Sequence, residues 1–142
     1  MTNRFVLDSH AVLAYLQDEP GADIVQGLLD RARRGETTVL CSCVNAAEVY
    51  WATRRHHGAH LAERAWAALC QLPVTLVPAD ERVACEAGEI KAGHSLALGD
   101  AFAAATARLQ DAEVVTGDPE FAALETLVPI LWLGEPPTGS PR

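Results

Sequence analysis

Short apolar runs alternate with longer amphipathic ones along the chain. Arg4-Phe5-Val6-Leu7-Asp8 predicts a buried strand that ends in a carboxylate. Ser9 then opens a helical run carrying Val12, Leu13 and Leu16. Pro20 suits the first turn of a second helix, which Ile24, Val25, Leu28 and Leu29 make amphipathic and Gly35 terminates. Thr37 to Cys41 is β-branched and apolar and predicts a second strand. Helices follow from near Asn45 to His57, with Gly58 as the stop, and over roughly His60 to Gln71. Pro73 to Val77 predicts a third strand. Asp80 is placed to cap a fifth helix ending at Gly93. A sixth, Ala-rich helix covers Leu98 to Leu109, and Glu113–Thr116 and Pro129–Leu133 predict two more strands. Strands alternating with helices call for an α/β layer fold with a largely parallel sheet.

The length of 142 residues fits one domain. It is assigned here to residues 1–134, with a Pro/Gly/Ser-rich tail over 135–142 expected to be mobile. The apolar fraction of 49% excludes a disordered chain. No apolar stretch reaches the roughly 18 residues of a membrane span, and Met1–Arg4 runs straight into a strand, so no signal peptide is expected. Cys41 and Cys43 read as sharing one face of a strand. With Cys70 and Cys85 they are expected to be free, partly buried thiols in a reducing cytoplasm. Eleven Lys and Arg against 19 Asp and Glu leave a net charge of −8, the reverse of the basic footprint of most nucleic-acid binders. Carboxylates gathered around a cation would account for part of that excess.

Four acids stand where such a site would form. In open parallel sheets, ligands bind beyond the carboxyl ends of the strands, near a reversal of strand order. Asp8 ends the first strand, Asp118 follows the fourth, and Glu48 and Asp100 sit near helix starts on the same rim. Each has a local alternative. Asp8 or Asp118 could cap the element that follows, Asn45 and Glu48 fit a capping box, and Asp100 suits the positive end of its helix. Four carboxylates in one pocket would instead repel by roughly 4 kcal/mol per pair at about 4 Å and an effective dielectric near 20. An oxygen-only donor set of that kind selects a hard cation, Mg²⁺ or Mn²⁺.

Three segments carry a family resemblance: Phe5-Val6-Leu7-Asp8-Ser9, Leu98-Gly99-Asp100-Ala101-Phe102-Ala103-Ala104-Ala105-Thr106-Ala107, and Val115-Thr116-Gly117-Asp118-Pro119-Glu120-Phe121. Val44 to Arg55, with Glu48, is a weaker fourth. From about residue 4 to 133 the chain resembles PIN-domain ribonucleases of the VapC toxin type. The resemblance implies a PIN-like three-layer α/β fold, with a five-stranded parallel sheet in the order 3-2-1-4-5 flanked by helices. It implies a cytoplasmic, Mg²⁺- or Mn²⁺-dependent endoribonuclease that leaves a 5′-phosphate. It also implies a VapB-type antitoxin as inhibitor, an RNA substrate, a homodimer and no membrane. By motif, the catalytic and metal-binding residues would be Asp8, Glu48, Asp100 and Asp118, with Thr116 and Ser9 orienting carboxylates. Arg54 and Arg55, in a basic stretch where Arg55 follows Glu48 by seven residues and so lies on nearly the same helical face, are the candidate RNA contacts.

Other readings are weaker. A haloacid-dehalogenase-like phosphatase wants a second acid two residues after the strand-end Asp, and that position is His10. A catalytically inert, PIN-like protein-binding module has no use for four intact acids. His94 reads as a surface-loop residue and Trp51 and Trp66 as core or interface; His10 is placed to line the site only by its nearness to Asp8.

Overall fold

The computed structural model describes residues 3–137. In chain order the elements are β1 (Arg4–Leu7), α1 (Ser9–Leu16), α2 (Ala22–Arg33), β2 (Thr38–Ser42), α3 (Cys43–His57), α4 (Ala59–Gln71), β3 (Thr75–Val77), α5 (Glu81–Gly93), α6 (Leu98–Leu109), β4 (Glu113–Thr116), a 3-10 helix (Pro119–Leu124) and β5 (Ile130–Trp132). The strands form one parallel sheet in the order β3-β2-β1-β4-β5. Of the tail expected over 135–142, residues 138–142 lie outside the described residues.

Both faces of the sheet are covered, which is why its strands read as continuous apolar runs rather than alternating ones. Phe5, Leu7, Val39, Cys41 and Val115 point to one face. They pack with Val12, Val25, Leu29, Val49 and Leu69 from α1 to α4. Val6, Leu40 and Val114 point to the other and pack on Val83, Ala87 and Ile90 of α5 and the alanines of α6. Helix α6 is buried nearly all round, from Gly99 through Ala107. Its small side chains let it lie close against β1, β2 and β4, so its first turn is held rigidly at the rim of the sheet.

Several local expectations are corrected. Helix α3 starts at Cys43, and Ser42 caps it by accepting from the Val44 N–H at 3.2 Å. Asn45 therefore lies inside the helix, and the capping box with Glu48 does not form. The same start separates Cys41 on β2 from Cys43 on α3, so they share no strand face. Cys41 is buried, with its thiol pushed up to about 12 by burial, whereas Cys70 and Cys85 are exposed; all are free. Pro20 precedes α2 rather than opening it, because Gly21, with φ of +98°, provides the turn against Leu133. Trp51 is 60% exposed and Trp66 39%, so neither belongs to the core.

Candidate active site

The strand order reverses between β1 and β4: β2 and β3 extend to one side of β1, β4 and β5 to the other. That reversal opens a crevice at the carboxyl ends of β1 and β4. Leu7 pairs with Val115, which brings Asp8 level with Thr116. Asp8 is buried and both its carboxylate oxygens are engaged. Oδ1 accepts from the Ala11 N–H at 2.8 Å, capping α1, and Oδ2 accepts from the Thr116 hydroxyl at 2.5 Å. Thr116 Oγ1 in turn accepts from the Asp118 N–H at 3.0 Å. One hydroxyl thus ties the strand-end acid of β1 to the backbone of the acid that follows β4. Ser9 opens α1 without holding a carboxylate in this way.

Asp118 caps the 3-10 helix, its Oδ1 accepting from the Glu120 N–H at 2.9 Å. That turn directs Glu120 back toward the first turn of α6. Asp100, Asp118 and Glu120 each offer a carboxylate oxygen, and these oxygens lie within 4.8 Å of one another. Glu120 was missed as a candidate, although it lies inside the segment that identified Asp118. The signal was the Asp118-Pro119-Glu120 sequence, a cap followed by Pro at the first helical position, which starts a turn that keeps Glu120 close to Asp118.

Two carboxyl groups are far from their ordinary range. Burial pushes Asp8 up to about 7 against its two hydrogen bonds, with the charges of Asp100 and Asp118 adding to the rise. Burial also raises Asp100 to about 7, reinforced by the charges of Asp118, Glu120 and Glu48. Asp100, Asp118 and Glu120 form one group, Asp8 is tied to the Asp118 backbone through Thr116, and Glu48 lies against Gly99 beside Asp100. Asp100 Oδ2 is buried without a hydrogen-bond partner. An unpartnered carboxylate oxygen amid like charges fits a divalent cation better than a purely structural role.

Glu48 is positioned from the second turn of α3. The amide of the fully buried Asn45 donates to Glu48 Oε1 at 2.8 Å and to the Gly99 carbonyl at 3.1 Å, linking α3 to the start of α6. Glycine at 99 leaves Glu48 its place: a Cβ there would lie 2.5 Å from Glu48 Cδ and Oε1 and push the carboxylate aside. Asn45 thus holds Glu48 across one helical turn, while the contact of both with Gly99 is one no local pattern shows. Arg55 is turned aside, its guanidinium 5.4 Å from the centre of the Trp51 ring, and Arg54 is exposed. His94 caps the end of α5 with its Nδ1 2.9 Å from the Ile90 carbonyl oxygen.

Thr116→Val tests the link between Asp8 and Asp118. It keeps the shape but leaves Asp8 Oδ2 and the Asp118 N–H without their partner. Stability is expected to fall by about 1–3 kcal/mol. Removing a hydrogen bond that lowers the Asp8 pKa should also weaken Mn²⁺ binding about 10- to 100-fold, as read by calorimetry near pH 7.

Acids gathered at the switch point of a parallel sheet, with Asp8 buried and Asp100, Asp118 and Glu120 nearer the surface, offer an oxygen donor set for a hard cation. The PIN domain family model matches residues 5–127, so the chain belongs to the PIN domain family, whose members are nucleases. Solved structures with this fold include VapBC2 from Rickettsia felis bound to a promoter DNA fragment. It is 14% identical, with a TM-score of 0.72 over 90% of this chain and 97% of that one. DNA-bound VapBC from Salmonella typhimurium is 15% identical, with a TM-score of 0.71 over 94% and 100%. VapC20 from Mycobacterium tuberculosis, a sarcin–ricin-loop-cleaving toxin, is 20% identical, with a TM-score of 0.62 over 84% and 93%. Curated protein sequences give no significant match. No helix among the described residues is long and apolar enough to cross a membrane.

Proposed function

We propose that this chain is a VapC-type toxin, a divalent-metal-dependent endoribonuclease controlled by a VapB-type antitoxin. The observation that carries the reading is the crowding of Asp100, Asp118 and Glu120 within 4.8 Å, beside a buried Asp8. Carboxylates this close repel one another, and a divalent cation would relieve that repulsion. Asp100, Asp118 and Glu120 would hold Mg²⁺ or Mn²⁺. Asp8 would act from the side, fixed by Thr116 and the start of α1, and Glu48 would hold a second ion or orient the attacking water. When bound, the ion offsets charge on the scissile phosphate and lowers the pKa of water.

The protein's own groups supply position. The carboxylates accept the proton of the attacking water and keep it aligned. The water oxygen bonds to phosphorus, the P–O3′ bond breaks, and the 3′ oxygen leaves with a proton, giving a 5′-phosphate and a 3′-hydroxyl. No side chain forms a covalent intermediate. The antitoxin assignment is supported by structural neighbours that are toxin–antitoxin complexes. An antitoxin Arg set against these carboxylates would block the crevice by charge-assisted hydrogen bonds. The acidic balance of this chain suits a basic partner segment, and a homodimer in a bacterial cytoplasm completes the reading.

The test incubates the purified protein with total RNA and Mn²⁺, with and without EDTA, and maps new 5′-phosphate ends. New ends are expected with Mn²⁺ and none with EDTA, nor with Asp8→Asn or Asp118→Asn. Wild-type rates in both variants would remove the assignment.

A further inference from the structure

We propose that a cleft beside the acidic crevice, walled by His10, His56 and His57, is the subsite for the base next to the scissile phosphate. The proposal rests on the nuclease reading above and names where its substrate strand is gripped. The cleft has a volume of about 560 Å³ and is built from α1, α3, the α1–α2 connection, the turn after β4 and the residue following β5. Its lining includes the apolar Leu13, Ala52 and Leu133 and the polar Gln17 and Glu19.

Two structural features join this cleft to the crevice. Gly117, which lines it, separates Thr116 from Asp118 in sequence, so the same turn serves both. Along α3, Glu48, Ala52 and His56 follow one another at intervals of four residues, forming one stripe from the acid site to the cleft. A strand whose phosphate sits beside Asp118 would pass the Gly117 turn, against which His10 lies.

The chemistry favours a base over a phosphate. Glu19 would repel a phosphate but accept a hydrogen bond from an exocyclic amino group, and Gln17 can both donate and accept. A partly apolar lining with imidazole rings suits the flat, uncharged part of a nucleotide, since RNA recognition commonly stacks unpaired bases on aromatic rings, histidine included. The His10 ring lies against Gly117. A Cβ on Gly117 would lie 3.0 Å from its Nδ1 and 3.1 Å from its Nε2, and closer still to Cε1, so the ring edge is seated on a position only glycine leaves open.

The experiment uses a short fluorescein-labelled single-stranded RNA of mixed sequence, measured by anisotropy in EDTA, where no cleavage occurs. His10→Ala is expected to weaken binding by about fivefold or more and, with Mn²⁺ present, to change which sites in total RNA are cut. Mn²⁺ affinity by calorimetry should not change. Gly117→Ala, which drives the ring from its seat, should reproduce the loss in the wild-type background and add little to His10→Ala. If wild type cleaves with Mn²⁺ but His10→Ala and His56→Ala keep both affinity and cut sites, the subsite is overturned and the cleft is left to a protein segment. If wild type gives no Mn²⁺-dependent cleavage, the nuclease reading fails first, a separate result.

Discussion

Asp100→Asn is expected to reduce Mn²⁺-dependent RNA cleavage by at least about a hundredfold, the upper end of what losing a mere supporter of a metal ligand costs, while making the metal-free protein melt higher near pH 8. The two effects share one cause. In the fold, Asp100 and Asp8 titrate near 7 instead of 3.8. The folded state thus binds more protons than the unfolded chain between about 4 and 7, so stability falls as pH rises through that interval and stays low above it. For the buried Asp8 the contribution is on the order of a few kcal/mol.

Thermal melts of metal-free wild type should accordingly decline between pH about 5 and about 8. Asp100→Asn should flatten that decline by removing a disfavoured charge. Mn²⁺ should raise the wild-type Tm more at pH about 8 than at pH about 6, since the ion binds the deprotonated acids. A pH-independent Tm in wild type, or full cleavage by the Asn variant, would contradict the account.

Gly99→Ala carries the second large effect, and it separates function from stability. The new methyl would meet the Glu48 carboxylate, the movable end of a long side chain, rather than backbone. Alanine also favours a helix over glycine by up to about 1 kcal/mol. The Tm is therefore expected to hold or rise, while cleavage falls about 10- to 100-fold because Glu48 is driven from its Asn45-held position. In a Glu48→Ala background the same substitution should cost nothing further. A Gly99→Ala enzyme with wild-type rates would show that the Glu48 position is immaterial to the reaction.

These two variants mark the boundary of what local pattern reveals. Asp8 and Asp118 were legible because each ends or follows an apolar run that gives it no neighbour in sequence. The alternation of strands and helices placed both at one rim, and strand pairing then set Asp8 level with Thr116. The capping alternatives also came true in part: Asp8 and Asp118 do cap the elements after them. A carboxylate has two oxygens, so capping and site membership do not exclude each other. Asn45 was misread for a related reason. N-x-x-E spacing is the same inside a helix as at its start, and Ser42 had taken the cap.

By itself the sequence determined the order of elements, the parallel α/β class and the acidic character of the site, because these follow from hydrophobic period, turn residues and side-chain type. Only the tertiary structure decided which carboxylates share a centre, that Glu120 joins them, that Arg55 turns to Trp51, and that His10 rests on Gly117. Apart from the Arg55–Trp51 contact within α3, those outcomes depend on contacts between elements distant in the chain, where room for a glycine is not room for a methyl group.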